Sequence, residues 1–130
     1  MAVKLNHTII HSRDKRAAAD FYAAVFGLGK PTQFGPFLDV MTSNDVTLAF
    51  LDFTEADGEL MMQHYAFLVS EREFDEIFGR VKDRKLEYWA DPMLAKKGEI
   101  NRHDGGRGVY FKDPSGHLLE IITRPYGSGG

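Results

Sequence analysis

The sequence predicts an α+β fold built from two copies of one β-α-β-β-β module. Two strand-like stretches each contain a histidine, His7 and His64, and the two histidines are 57 positions apart. Each of these stretches precedes an amphipathic helical stretch, and the apolar stripes of the two helices are offset by 56 positions. Strand-like segments follow each helix. Together these observations indicate one repeated unit of about 60 residues.

The first module is predicted at about residues 4–57. After an opening strand, the apolar residues of its helix recur at i, i+3, i+4 and i+7, and Gly27 stands where a left-handed glycine would end the helix. The polar turn Thr42–Asp45 then separates two strands. The predicted elements are the strand Lys4–His11, the helix Asp14–Phe26 and the strands Phe37–Met41 and Val46–Phe53.

The second module is predicted at about residues 60–125. Ser70 and Glu73 form a capping-box pattern that opens its helix. A long polar loop, residues 91–106, leads into a final hairpin. The Gly/Ser-rich tail from Pro125 is predicted to be loose. The predicted strands are Met62–Val69, Leu86–Ala90, Gly108–Lys112 and Leu118–Thr123.

Composition limits the function. The chain has 130 residues, of which 43% are hydrophobic and 27% charged, as expected for one globular domain. Its net charge is −3 and it lacks a basic block, so nucleic acid is not an expected partner. No apolar run approaches the roughly 20 residues of a membrane helix. The opening residues are too polar for a secretory signal, which makes the cytoplasm the expected location. Because cysteine is absent, histidines and carboxylates are left for chemistry.

Glu120 is the most unusual residue, because it interrupts the apolar strand Leu118–Ile122. Burying an unpaired carboxylate costs several kcal/mol, so this side chain needs a partner or must face solvent on an edge strand. The alternatives are therefore a solvated glutamate or a metal-binding or catalytic carboxylate.

His7 and His64 occupy equivalent positions in the two modules, so a pseudo-twofold axis can bring both imidazoles together. With Glu120 they form two nitrogens and one oxygen, a ligand set that leaves coordination positions open. In the first module Leu48, within one residue, is the counterpart of Glu120, and residues 46–51 contain no carboxylate or imidazole. A three-ligand site is therefore favoured. Fe(II) or Mn(II) suits it best, and Zn(II) or Ni(II) is possible.

Tyr110 is expected opposite Glu120, because Pro114–Gly116 suits a three-residue hairpin loop. A phenol there either assists catalysis as a hydrogen-bond donor or acid, or packs across the strands. His103 and Arg107 lie in the preceding loop and are candidates for proton transfer and for binding an anionic substrate, or are simply solvated. Aromatic residues that either line a binding site or belong to the core include Phe37 and Trp89.

Several motifs resemble the vicinal oxygen chelate superfamily, which includes glyoxalase I, bleomycin-resistance proteins, fosfomycin-resistance enzymes and extradiol dioxygenases. The most specific motif is similar to the extradiol dioxygenase signature. The residues that carry the resemblance are Leu5-Asn6-His7, Asp20-Phe21-Tyr22, Phe26-Gly27-Leu28, Gln63–Phe67, Asn101-x-His103, Val109-Tyr110-x-x-Asp113-Pro114-x-Gly116 and Glu120.

The resemblance implies paired modules whose mixed sheets curl into a curved cup around a metal held by His7, His64 and Glu120. It also implies substrate contacts by Tyr110 and His103, and a homodimer. Two features depart from the family. The chain lacks the additional acid–base histidine of extradiol dioxygenases and the first-module carboxylate of glyoxalase I.

The sequence thus predicts a metal-dependent enzyme with dioxygenase-like chemistry on a small, oxygen-bearing substrate. Lyase, isomerase or thiol transfer chemistry on the same metal stays open. The alternative is a dimeric protein that binds a drug or metabolite without catalysis. The two readings differ in one respect: only the enzyme needs the metal.

Overall fold

The computed structural model describes residues 2–129. The chain divides between Met61 and Met62 into two compact units. Each unit has the element order β-α-β-β-β and contains a four-stranded mixed sheet, which confirms the predicted fold class. Over residues 2–129, no helix has both the length and the apolar character needed to cross a membrane.

The first unit pairs its strands in the order β1-β4-β3-β2, with β1 parallel to β4. The side chain of Asp14 accepts a hydrogen bond from Ala17 N and begins the helix, and Gly27 ends it at φ 68°. A single 3-10 turn follows the last strand. The elements are β1 His7–Ser12, α1 Lys15–Phe26, β2 Thr32–Phe34, β3 Phe37–Met41 and β4 Thr47–Asp52.

The core of the first unit lies between α1 and one face of the sheet. Tyr22 of α1 packs against Phe50 of β4, with ring centroids 4.7 Å apart. Leu38 and Val40 of β3 are buried on this face. Because side chains alternate along a strand, the register places His7 and Asp39 on the opposite face.

The second unit repeats this arrangement in the order β5-β8-β7-β6. The predicted capping box is present: Ser70 Oγ accepts from Glu73 N at 3.1 Å, and Ser70 N donates to Glu73 Oε1 at 2.8 Å. A 3-10 turn, His103–Gly105, precedes the final hairpin. The elements are β5 His64–Leu68, α2 Glu71–Asp83, β6 Tyr88–Trp89, β7 Gly108–Lys112 and β8 Leu118–Ile122.

The structure differs most from the sequence prediction at two strands. It adds β2, which is only three residues long, and it shortens the predicted strand Leu86–Ala90 to two residues. Leu86 N donates to Val81 O, so its N–H closes the end of α2 instead of pairing with the sheet. Ala90 N donates to a loop carbonyl instead of to the sheet.

The tail also differs from the prediction, because it forms a turn that is hydrogen-bonded to the rest of the second unit. Ser128 N donates to Pro125 O at 3.1 Å. Gly129 N donates to the side chain of Asp104 at 3.3 Å. The segment Pro125–Gly129 is therefore a structural element, and we refer to it as the C-terminal turn.

Candidate metal centre

Glu120 is fully buried in the interior of the second sheet, on β8 between β5 and β7. The alternative of a solvated glutamate on an edge strand is therefore wrong. One oxygen, Oε1, is 3.1 Å from His64 Nε2. The other, Oε2, accepts a hydrogen bond from the hydroxyl of Tyr126. Both oxygens of this carboxylate are thus committed to named partners.

The contacts of His64 determine which of its two ring nitrogens carries the proton when the ring is neutral. Its Nδ1 lies 3.0 Å from the carbonyl of Leu118, and since a carbonyl only accepts, Nδ1 carries the proton. In a neutral ring, Nε2 is then an acceptor facing Oε1 of Glu120. Two acceptors this close need a cation between them, either a proton or a metal ion.

The separation of these two atoms fits a bound metal. Ligands about 2.1 Å from a metal and at right angles to each other are about 3.0 Å apart. The distance from His64 Nε2 to Glu120 Oε1 is 3.1 Å. The donor chemistry, one imidazole nitrogen and one carboxylate oxygen, also fits a divalent metal. These two side chains therefore fit adjacent positions on such a metal.

His7 presents its ring in the same way in the first unit. Its Nδ1 is 2.8 Å from Oδ1 of Asn6, and since an amide oxygen only accepts, Nδ1 is the donor. In a neutral ring, Nε2 of this exposed side chain is then unprotonated and can bind a metal. His7 pairs with Thr47 as His64 pairs with Leu118, so the two histidines are equivalent in register. Over residues 2–129, no group of three or more histidine and acidic side chains is placed to hold a metal ion.

The first-unit counterpart of Glu120 is Ala49. Ala49 lies opposite Ile9, two residues after His7, as Glu120 lies opposite Ala66, two residues after His64. The sequence placed this counterpart at Leu48 within one residue, which the register bears out. Because alanine offers no ligand atom, the first unit adds no carboxylate at this position.

Tyr110 pairs with Glu120 across β7 and β8, as the hairpin loop predicts. Gly116 closes that loop at φ 92°, and Asp113 N donates to His117 O at 3.0 Å. The ring of Tyr110 stacks on His64 with centroids 5.9 Å apart. A hairpin of defined length thus places the phenol beside the candidate ligands.

Tyr126 completes this cluster and was missed by the sequence analysis, which treated the tail as loose. Its hydroxyl is 3.0 Å from that of Tyr110. Burial is the largest cause that raises the pKa of Tyr126, and the hydrogen bond and negative charge of Glu120 raise it further. Burial is also the largest cause that raises the pKa of Tyr110, followed by its hydrogen bond with Tyr126. Both phenols therefore stay protonated near neutral pH and can donate hydrogen bonds. An aromatic residue in the tail was the only available signal.

Trp89 extends the row of side chains that contains Glu120. It pairs with Tyr110, is 7% exposed and packs against Leu118 and Leu94. Phe37 lies in the first unit, where it pairs with Phe34 at the end of β2. The tryptophan therefore lies beside the candidate ligands of its own unit. A substrate contact by Trp89 or Phe37 stays a prediction.

The other two predicted residues lie in or just after the loop before β7. His103 is exposed in the 3-10 turn. Arg107 points at α2 instead: Nη1 donates to Asp75 Oδ1 and Nε to Glu71 Oε1, each at 2.8 Å. The guanidinium also lies 4.3 Å from the ring centroid of Phe74. Arg107 thus ties the loop to α2, and the proposed substrate contacts of both residues stay untested.

Replacing Arg107 by methionine is expected to lower the free energy of unfolding by about 1–2 kcal/mol, because it removes the guanidinium of a side chain that is only 20% exposed from two carboxylates and from the ring of Phe74. Urea unfolding followed by circular dichroism measures this loss. Arg102→Met, at an exposed position of the same loop, is the control. An Arg107→Met protein as stable as the control would contradict the structural role.

Asp39 is an unusual carboxylate on the face of the first sheet that carries His7. It pairs with Ala49 as Tyr110 pairs with Glu120, so it is the first-unit counterpart of Tyr110. Among the described residues, its Oδ1 is a buried side-chain atom without a hydrogen-bond partner. An unsatisfied buried oxygen costs stability, and such positions are common at functional sites.

Asp39→Thr is expected to raise the free energy of unfolding by about 1 kcal/mol, because threonine suits a strand and the unpaired oxygen is removed. Urea unfolding measures the change. Met41→Thr, on the same face of β3, controls for strand propensity. If Asp39→Thr is less stable than the wild type, the carboxylate has a compensating partner and the interpretation fails.

Comparison with known proteins identifies the family of the chain. A profile described as "Glyoxalase/Bleomycin resistance protein/Dioxygenase superfamily" matches residues 4–121. The chain is 30% identical over 122 residues to metallothiol transferase FosB of Shouchella clausii (strain KSM-K16), covering 92% of this chain and 79% of that protein.

Two solved structures are more similar still. The oxidase ChaP-H2 is 56% identical, with a TM-score of 0.95 and full coverage of both chains. The oxidase ChaP-H1 is also 56% identical, with a TM-score of 0.92, covering 97% of this chain and 99% of that chain. The named relatives are thus enzymes, and their names indicate two different kinds of reaction.

Proposed function

Since the chain belongs to the glyoxalase/bleomycin resistance protein/dioxygenase superfamily, we propose that it is a metal-dependent oxygenase. His7, His64 and Glu120 hold a divalent metal, and the substrate is a small molecule that offers two adjacent oxygen atoms. The observation that carries this proposal is the approach of His64 Nε2 to Glu120 Oε1 at 3.1 Å. These facing acceptors need a cation, and a metal supplies it.

Oxygen chemistry is favoured over the other reactions of the superfamily by the similarity of the relatives. The two proteins named oxidases are 56% identical to this chain, whereas the metallothiol transferase is 30% identical. A metal that changes oxidation state favours reaction with O2, so Fe(II) or Mn(II) is the proposed cofactor. Zn(II) has no redox chemistry and fits the transferase alternative.

The side chains around the ligands have defined parts in this proposal. When bound, the metal supplies Lewis acidity and a redox partner for O2. Tyr110 keeps its proton, and when substrate is bound it turns this donor from the Tyr126 hydroxyl to a substrate oxygen. Trp89 forms an apolar wall beside it. His103 as a proton carrier and Phe37 as a substrate contact complete the proposed set, whereas Arg107 would have to leave the carboxylates of α2 to bind an anionic substrate.

We further propose a homodimer in which His7 of one copy joins His64 and Glu120 of the other. Apolar side chains on the strands that carry the two histidines support this. Ile9, on the face of β1 that bears His7, is 44% exposed, and Leu68, on the face of β5 that bears His64, is 62% exposed. Exposed apolar strand faces of this kind are typical of interfaces.

The experiment that tests this function begins with elemental analysis of protein purified without added metal or affinity resin. The protein is then loaded anaerobically with Fe(II), Mn(II), Ni(II) or Zn(II), and O2 uptake is followed with catechol and 1,2-dihydroxynaphthalene. We expect near-stoichiometric metal, and O2 uptake with Fe(II) or Mn(II) but not with Zn(II). Both oxygen atoms of O2 enter the product, so no reductant is needed.

Other outcomes point elsewhere. Metal binding with consumption of added thiol, and without O2 uptake, would replace the oxygenase by thiol transfer, the activity in the name of the 30%-identical relative. If none of the four metals binds at micromolar concentration, the metal-centre proposal fails. The protein would then be a binding module, to be screened against hydrophobic ligands.

A further inference from the structure

We propose that Tyr126, in the C-terminal turn, is a positioning residue for the metal centre. Its hydroxyl holds Oε2 of Glu120, so that Oε1 alone is presented beside His64 Nε2. This inference rests on the proposed function, because it assumes that Glu120 is a metal ligand. It adds a residue outside the β-α-β-β-β modules to the site, and it gives the C-terminal turn a role.

The turn is built to place this side chain. Arg124 Nη2 donates to Ser128 O at 3.2 Å, and Ser128 Oγ donates to Pro125 O at 2.6 Å. A Cβ atom on Gly129 would collide with the backbone of Asp104, so the end of the turn lies directly against the 3-10 turn before β7. The chain therefore returns over β8, and Tyr126 meets the carboxylate six residues before it.

The direction of the hydrogen bonds follows from the acceptor at their end. As a metal ligand Glu120 is ionised, and both its oxygens only accept. Tyr126 must then donate to Oε2, which leaves its own oxygen to accept from the hydroxyl of Tyr110, 3.0 Å away. The hydrogen bonds therefore run from the hydroxyl of Tyr110 to that of Tyr126, and from Tyr126 to Glu120. Each phenol donates its proton in this series, so both must be protonated.

The consequence for the ligand is its binding mode. A carboxylate whose second oxygen is free can rotate and bind a metal through both oxygens. A donor fixed on Oε2 of Glu120 opposes this rotation and keeps the carboxylate monodentate. More coordination positions then stay open for substrate. Partners of this kind, which hold a metal ligand in place, commonly change metal affinity or activity 10- to 100-fold when removed.

The solvent exposure of Tyr126 distinguishes a positioning role at the metal centre from a contribution to core packing. Tyr126 is 60% exposed, so its ring contributes little apolar burial. Tyr126→Phe removes the hydroxyl alone, so no apolar packing is lost and the metal-free protein is expected to stay folded, with a thermal midpoint lower by about 3–10 °C because one buried oxygen of Glu120 loses its donor. Tyr88→Phe is the matched control, because Tyr88 packs against Phe78 of α2, on the sheet face opposite Glu120.

The test uses Co(II) as a probe with the full chain, because its visible spectrum reports coordination number and geometry. We expect Tyr126→Phe to weaken Co(II) binding at least about tenfold and to change the absorption bands, while Tyr88→Phe changes neither. In the Tyr126→Phe background, adding Tyr110→Phe is expected to have little further effect on Co(II) affinity, because Tyr110 is then no longer linked to Glu120 by hydrogen bonds through Tyr126.

The results that would overturn the inference are specific. If the wild type binds Co(II) and Tyr126→Phe shows the same affinity and the same spectrum, Tyr126 does not position Glu120, and the proposed metal centre stands without it. If the wild type itself binds neither Co(II) nor the four metals tested above, the metal centre fails and the role of Tyr126 falls with it.

Discussion

Glu120→Gln is expected to reduce the affinity for Fe(II) or Mn(II) by more than about 100-fold, which exceeds the effect of losing a partner that merely holds a ligand in place. The carboxylate is fully buried and 3.1 Å from His64 Nε2. Glutamine keeps the shape of the side chain but loses the negative charge that strengthens the binding of a divalent metal. Titration of the metal-free protein with each metal measures the effect, and O2 uptake should disappear with it.

The control for this substitution is Glu87→Gln. Glu87 is 61% exposed and pairs with Lys97 at 3.2 Å, so it resembles Glu120 in chemistry but not in position. Its loss should leave metal binding unchanged. The metal-free Glu120→Gln protein should remain folded, because it no longer buries a carboxylate without a metal. A Glu120→Gln variant that keeps stoichiometric metal would remove Glu120 from the ligand set.

The parts of the site that could be predicted are those with a local rule behind them. Loop length fixes hairpin register, so Pro114–Gly116 was enough to place Tyr110 opposite Glu120. Repeated spacing made His7 and His64 equivalent, and the structure gives them equivalent registers. The apolar neighbours of Glu120 marked it as unusual but left burial and solvent exposure as alternatives, and the structure shows that it is buried.

The parts that could not be predicted depend on contacts between distant segments. Tyr126 meets Glu120 because the C-terminal turn closes onto Asp104, and no local pattern signals such a return. Arg107 bonds to α2, more than 30 residues earlier in the chain. The unpaired oxygen of Asp39 depends on the packing of a whole sheet face. Such pairings leave no periodicity for sequence analysis to detect.

Mixing two inactive variants is expected to restore metal binding, which is the strongest test of how the site is assembled. His7→Ala removes the ligand of the first unit, and Glu120→Gln removes a ligand of the second. If His7 of one copy completes the site of the other, a mixed dimer contains one intact site and one that lacks both ligands. Random reassociation should then restore about a quarter of the wild-type metal sites.

The experiment dissociates the two variants in mild denaturant, removes it, and measures bound Fe(II) or Mn(II) together with O2 uptake. Each variant alone should bind at least about 100-fold more weakly than the wild type. His11→Ala, on the same face of β1 as His7, should bind normally by itself. Mass spectrometry of an isotope-labelled variant shows that mixed dimers have formed. If mixed dimers form but metal binding is not recovered, each chain supplies all the ligands of its own site. If His7→Ala alone binds metal normally, His7 is not a ligand.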